Sequence, residues 1–370
     1  MKKKLAIIGA SSGQYSICLK ARELGIETFC FAWEKGAICK DVVSHFYPIS
    51  ILEMDKIVDI CKTIGVDGVV SNASDMTADV VSYVSERLHL NATPYRVLAA
   101  LHDKFYVRSL VQSIEELESP RNYKYEGKDE NLYPCVVKPC QGRGKKGVCF
   151  AQDESDFEAA ITYASKDNDS GIIVEEFIEG KELSIECISF HGRHYVIQIT
   201  DKDSSSAPHF VELGHHQPAD IPNSIKCKIE RVIPELLTTI GYTDGASHIE
   251  IKYNGDKLYL IEANLRGGGD DISNKLVFMS SGIDYLKCII DVALNQFVKP
   301  ERIENPCYAG IYYLTKQTSY LQPFFNDADD KDWLIEKKIY STDLLESHSN
   351  YERNGFLIYK SDHKVLPNIL

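Results

Sequence analysis

Glu262, Asn264 and Arg266 stand at alternate positions at the end of Leu258–Arg266, an apolar, β-branched and aromatic run that Gly267-Gly268-Gly269-Asp270-Asp271 follows. The run predicts a strand, and alternate residues of a strand share one face. Carboxylate and carboxamide oxygens are hard donors suited to Mg²⁺, and a guanidinium suits a phosphate or carboxylate. The same pattern also fits an edge strand whose polar face meets water. Asn254-Gly255 is the strongest short hairpin signal in the chain. It joins this strand to the one before it, which carries Glu250. A strict two-residue turn sets Glu250 opposite Tyr259, so Glu250 and Glu262 are expected to be offset. Neighbouring carboxylates repel unless a cation bridges them. Lys252 is one candidate cation; Mg²⁺ spanning the offset, with Asn264 as a third oxygen donor, is the other.

Cations lie upstream. Tyr133–Pro139 predicts a strand with Lys138 at its end. The loop behind it holds Gly142, Arg143, Gly144, Lys145, Lys146 and Gly147. Glycines allow close backbone approach, successive N–H groups form an anion nest, and the cations complement phosphate. The GxxxxGK[ST] pattern is absent, so the device is nearer a flap folding over phosphates. An exposed basic hairpin is the competing reading. Lys104, on a predicted helix after a linker, reads by itself as a solvated lysine. A further apolar strand ends in Glu175-Glu176, followed by Phe177-Ile178 and a second strand entered at Glu182. A strand-end carboxylate and its adjacent backbone can bond an adenine edge, and Glu182 can hold ribose hydroxyls. Solvated strand-end charges are the alternative. Residues 201–216 read as a polar, irregular substrate loop. The adjacency of His215 and His216 is poor geometry for a shared metal.

These residues need elements to carry them. From the N-terminus strand and helix alternate, which predicts an open parallel sheet. The Gly9–Gly13 turn follows a strand and opens a helix, as phosphate-binding turns do. It lacks GxGxxG spacing and an acidic residue after a strand is common by chance, so a nicotinamide reading with Glu34 on the ribose is weak. Ser71–Asp75 follows a strand end, where open α/β sheets bind ligands; Ser74 is a substrate candidate, although taken singly Ser74 or Asp75 reads more readily as a helix cap. The 370 residues suffice for two or three domains. A net charge of −13 argues against a nucleic-acid partner. No apolar run approaches a membrane span, and the N-terminus reads as a first strand rather than a signal peptide. The eleven cysteines lie mostly in apolar segments and read as reduced core residues of a cytoplasmic protein.

Taken in order, Asp103-Lys104, Val136-Val137-Lys138-Pro139, the Gly142–Gly147 loop, Glu175–Glu182, His248/Glu250 and Ile261–Arg266 resemble the ATP-grasp superfamily. The resemblance covers roughly residues 1–300. It implies an ATP-grasp architecture, α/β and α+β: an N-terminal Rossmann-like parallel-sheet domain (1–95), a lid-bearing central lobe (96–185) and a C-terminal lobe with the Mg²⁺ site (186–300), with two α+β lobes clasping ATP. Residues 301–370 would be an extension that covers the acceptor site or mediates a homodimer. Lys104 and Lys138 match lysines on ATP phosphates, and Gly142, Arg143, Gly144 and Lys146 match the closing loop. Glu175, Glu176 and the Phe177/Ile178 backbone match the adenine site, and Glu182 the ribose ligand. Glu250, Glu262 and Asn264 match ligands of Mg²⁺, for which Mn²⁺ can substitute. Arg266 matches an arginine on the transferred phosphate. The Gly214–Ala219 segment and Arg266–Asp270 look most like carboxylate–amine ligases that join amino acids, which places His215, Gly268 and Ser74 near the substrates. The implied reaction makes an acyl phosphate from a small carboxylate and ATP, then passes the acyl group to an amine. Alternatives are a carboxylase acting on bicarbonate and a non-catalytic nucleotide-binding module.

Overall fold

The computed structural model describes residues 2–142, 146–166, 168–205, 207, 210–302, 307–344, 347 and 352–367. The chain opens with four parallel strands, β1 (Lys4–Ile8), β2 (Glu27–Ala32), β3 (His45–Pro48) and β4 (Gly68–Val70), ordered β3-β2-β1-β4. Leu5 through Ile8 are fully buried, as expected where both faces of a parallel sheet are covered. The cover comes from α1 (Ser12–Glu23), α2 (Met54–Ile64) and α3 (Asp75–Arg87). The alternation expected from sequence is present. The edge strand β3, four residues ending in Pro48, carries no alternating signal and was not anticipated.

After α4 (Tyr95–Leu101), α5 (Lys104–Val111) and the short β5 (Leu117–Glu118) comes a second sheet. It contains β6 (Asn122–Lys124), β7 (Cys135–Pro139), β8 (Cys149–Ala151) and β9 (Ile172–Glu176), in the order β6-β9-β7-β8. On α6 (Glu154–Ser165), Phe157, Ala160 and Ala164 form one helical stripe that packs on Cys135, Val137 and Val174.

Among the described residues the third sheet has nine strands. β10 (Lys181–Phe190), β11 (Arg193–Ser204), β12 (Glu212–Gln217), β13 (Gly245–Asn254) and β14 (Lys257–Asn264) form its centre, with β5 at one edge. β15 (Tyr308–Leu314), β16 (Leu334–Ile339) and β17 (Gly355–Ser361) complete it at the other edge, so three strands after residue 301 are built into this sheet. The helix α7 (Asn223–Thr239) covers one face with Ile229, Ile233 and Leu236 against Leu183, Ile185 and Ile249. On another face, Ile289 and Ile290 of α8 (Tyr285–Ala293) join Ile188 and Ile358 to Leu5 and Ile7 of the first sheet. Among the described residues no helix is long and apolar enough to cross a membrane.

Two local expectations are corrected. Asn254 pairs with Lys257, so the turn residues are Gly255 and Asp256, one position later than expected. A bulge between Glu250 and Ile251 then shifts the register, and Glu250 stands directly opposite Glu262. A bulge sets two residues of one strand against one of the other and re-aims side chains; neither its presence nor its place shows in the sequence. Residues 201–216, expected to be irregular, are largely the paired ends of β11 and β12. Several of their polar side chains meet charged partners: Asp201 meets Lys181 of β10 at 2.7 Å and His216 meets Asp203 at 3.0 Å.

The connection into β10 has no spare volume. Gly180 has φ 139°, and a Cβ there would lie 2.3 Å from the Tyr253 carbonyl oxygen. Gly180→Ala is expected to cost about 2 kcal/mol or more of unfolding free energy in urea titrations. A loss below about 0.5 kcal/mol would contradict this packing.

Candidate functional site

The bulged hairpin concentrates negative charge, and buried cations answer it. Lys202, on β11, is buried with its Nζ 2.9 Å from Glu250 Oε2, 3.0 Å from Glu182 Oε1 and 3.2 Å from Glu212 Oε1. His248 Nε2 lies 3.2 Å from the other Glu250 oxygen. Burial alone would favour neutral groups. The Lys202 ammonium and His248 instead hold the Glu250 carboxyl well below its usual range, while Glu186 and Glu250 raise His248 to about 9 despite its burial. Lys252, the cation suggested by sequence, is directed elsewhere: it donates to the Ile178 carbonyl at 3.1 Å and lies over the Phe177 ring. Glu262 is 37 % exposed and opens to the cleft. Asn264 pairs with His248 in the ladder, and its Nδ2 is buried without a hydrogen-bond partner among the described residues. Two carboxylates and a carboxamide make a hard oxygen donor set that fits a divalent cation.

Across the cleft a buried ionic triad fixes Lys138. Arg108 Nε meets Glu175 Oε1 at 2.8 Å, Lys138 Nζ meets Glu175 Oε2 at 2.6 Å, and Arg108 Nη2 donates to the Ile261 carbonyl at 2.6 Å. Burial would raise the Glu175 carboxyl, but the two cations hold it down at about 2. Burial depresses Lys138, and Glu175 opposes that shift. Glu175, expected at an adenine edge, therefore anchors Lys138. Lys104 opens α5, whose N-terminus Asp103 caps by accepting from the Phe105 N–H at 2.9 Å. Its Nζ donates to the Gly142 carbonyl at 3.0 Å and lies 3.8 Å from Glu262 Oε1.

Two cavities meet along this seam and share Lys104, Gly142, Lys146 and Glu262. The smaller, about 140 Å³, is walled by Val136, Lys138, Phe177, Ile178, Glu182 and Phe210. Phe177 stacks on Phe210 with ring centroids 5.6 Å apart. Glu176 is held by Arg121 at 2.6 Å. The Phe177 N–H is already bonded to the Pro134 carbonyl at 2.8 Å. The larger cavity, about 460 Å³, runs along Asn264 and Leu265 toward Asp75, Asp79 and His102. Arg143 and Gly144 lie outside the described residues.

The substrate-side candidates disperse. Arg266 turns to α3, with Nε 3.0 Å from Asp75 Oδ1 and Nη1 donating to the Gly267 carbonyl. Ser74 is exposed at the start of α3 with φ 76° and lines none of these cavities; its neighbours Asn72, Ala73 and Asp75 do. Gly268 lines a third cavity of about 420 Å³ with Ser12, Asn72, Asp270, Tyr313 and Arg353. His215 is buried behind it, 3.3 Å from Asp270 and 3.7 Å from Glu212. Those three residues could hold a metal; Arg353 lies 2.9 Å from Asp270 and Lys202 3.2 Å from Glu212.

Sequence reasoning missed Arg108, Lys202, Glu186 and Arg353. Arg108 was detectable, because it sits one helical turn after Lys104. Lys202 was not: Asp201-Lys202-Asp203 reads as a solvated run, and only the strand pairing shows what it faces.

The triad has a pH signature. A carboxyl depressed on folding stabilises the protein above its unfolded value, near 4.5, and that contribution is lost as pH falls toward about 2. Arg108→Met removes one cation and should cost about 3–5 kcal/mol at neutral pH in urea unfolding. The gap to the parent should narrow at about pH 3.5. An unchanged gap, or none at neutral pH, would contradict the triad's role.

Residues 131–275 match the model of the ATP-grasp domain. The chain is 26% identical over 136 residues to a D-alanine–D-alanine ligase of Pediococcus pentosaceus, an alignment covering 36% of this chain and 38% of the ligase. It thus spans well under two thirds of that relative's length. Among solved structures, an L-amino acid ligase from Bacillus licheniformis superimposes with TM-score 0.78 at 22% identity, covering 98% of this chain and 94% of the other. A phosphoribosylglycinamide synthetase from Anaerococcus prevotii gives TM-score 0.76 at 17% identity, covering 98% and 95%. At these identities the structural likeness is one of fold. The chain carries an ATP-grasp domain over residues 131–275 and is built on the ATP-grasp fold.

Proposed function

We propose that this protein is an ATP-dependent ligase that activates a small carboxylic or amino acid as an acyl phosphate and joins it to an amine. The observation that carries this reading is the facing pair Glu250 and Glu262, followed by Asn264, across a cleft from Lys104 and Lys138. The cavity walled by Phe177, Ile178 and Phe210 offers an apolar site for an adenine, and Glu182 lines it for ribose hydroxyls. Glu250, Glu262 and Asn264 would hold Mg²⁺, which when bound supplies positive charge at the phosphoryl oxygens.

Lys104 and Lys138 act on the polyphosphate. Their ammonium groups offset charge that develops as a substrate carboxylate oxygen attacks the γ-phosphorus and ADP leaves. Lys138 is held in place by Glu175 and so needs little reorganisation. Lys146, on the loop side, faces the same seam. The amine nitrogen then attacks the acyl carbon, the C–O bond to phosphate breaks, and the amine gives up a proton. Exclusion of water matters here, because water would hydrolyse the acyl phosphate. Arg266, now paired with Asp75, could serve the phosphate only by exchanging that partner.

The test is ADP release in the presence of Mg²⁺, scored over amino acids and small diacids with and without amines, with Glu262→Gln as control. At least one acid should stimulate release about tenfold or more over the control. Release stimulated by bicarbonate alone would favour a carboxylase, and no stimulation by any acid would sink the ligase reading.

A further inference from the structure

We infer that Glu186 is a positioning residue that ties the Gly267–Gly269 turn to the Glu250 end of the carboxylate hairpin. The inference rests on the ligase reading only for the role given to Glu250. Glu186 lies within β10, opposite His248 of β13, and has no exposed surface. Its Oε1 meets His248 Nδ1. Its Oε2 accepts from the Gly268 N–H at 3.0 Å and the Ser273 hydroxyl at 3.4 Å. The second ring nitrogen of His248 lies 3.2 Å from Glu250. A polar chain thus runs from the Gly268 backbone through Glu186 and His248 to Glu250.

A buried carboxylate is costly unless it is paired and hydrogen-bonded. Here both oxygens are satisfied, by donors from opposite sides: β13 on one, the turn and the helical segment after it on the other. The turn is seated directly on the pair. A Cβ at Gly268 would lie 2.6 Å from Glu186 Oε1 and 2.7 Å from His248 Nδ1. The two residues after Gly269 are themselves left-handed, Asp270 at φ 53° and Asp271 at φ 58°. Non-glycine residues hold that conformation where their surroundings fix it. Gly268, Gly269 and Asp270 wall the cavity of about 420 Å³. One carboxylate therefore sets both a wall of that cavity and the aim of Glu250. The same contact commits the Gly268 N–H, so this glycine shapes the cavity without offering that donor to a ligand.

The full-length parent, Glu186→Gln, Gly268→Ala and the double variant are compared by thermal melting, by Mn²⁺ affinity with ADP from electron paramagnetic resonance, and by amide exchange over residues 267–274. Glu186→Gln keeps the shape but removes the charge facing His248, so it should fold and melt below the parent. Its Mn²⁺ affinity should fall about tenfold, and exchange over the turn should rise about tenfold. Gly268→Ala should do the same from the other end, and the double variant should be no worse than the poorer single, as members of one network are not additive. A folded Glu186→Gln with both readouts within about twofold of the parent, or effects that sum in the double variant, would overturn the inference. Should Glu186→Gln not fold, Gly268→Ala decides by the same two readouts. None needs turnover, so a failed ligase reading is recognised separately by the parent's silence in ADP release. If the parent binds no Mn²⁺, exchange over the turn decides alone.

Discussion

Four carboxylates crowd around one register shift. The bulge beside Glu250 turns an offset pair into a facing one, and β10 and β12 bring Glu182 and Glu212 to the same place. Like charges about 4 Å apart still repel by about 4 kcal/mol at an effective permittivity near 20, so the sheet could not close on this group unaided. Lys202 is what lets it close. It is buried, reaches three of the four, and leaves Glu262 as the partly exposed member. The arrangement is neutralised on its inner side and open on its outer side, which is where a cation carried by a ligand would arrive.

The opposite wall is built by the same economy of charge. Glu175 faces inward, against two cations, and fixes Lys138 at the cleft. Arg108 adds a bond to the Ile261 carbonyl, so the second sheet is tied to the strand that carries Glu262. The position of Lys138 relative to the carboxylates is thereby set by a buried ion group, whereas Lys104 donates to the Gly142 carbonyl. That is the kind of support a preorganised electrostatic site needs. Arg266 is less settled: its bond to Asp75 links the β14 end to the parallel sheet, and any phosphate would have to compete for it.

Much of this was legible from residues alone. The parallel β-α alternation, the hairpin and the ordered set from Lys104 to Arg266 all follow from local patterns, and local patterns are carried by nearby sequence. What stayed hidden was pairing at long range. Nothing near Lys202 says that it will face Glu182 and Glu250, and nothing near Glu186 says that it will meet a backbone N–H 82 positions away. Residues 201–216 read as irregular because polarity suggests exposure, whereas Asp201, Lys202 and His216 are buried in a sheet against charged partners. Ser74 was singled out for its place after a strand, and its neighbours on either side turned out to face the cavities. Leu265, flanked by Asn264 and Arg266, packs against the core beneath α7 and also lines the larger cavity.

The central claim is that the facing carboxylates and the two lysines form one site for a metal-bound nucleotide. Calorimetric titration of ATP with and without Mg²⁺, into the parent and into Asn264→Ala, tests it most directly. The account predicts that Mg²⁺ strengthens ATP binding by about tenfold or more in the parent and that Asn264→Ala loses most of this gain. Equal Mg²⁺ dependence in both proteins, or no ATP binding by the parent, would contradict it.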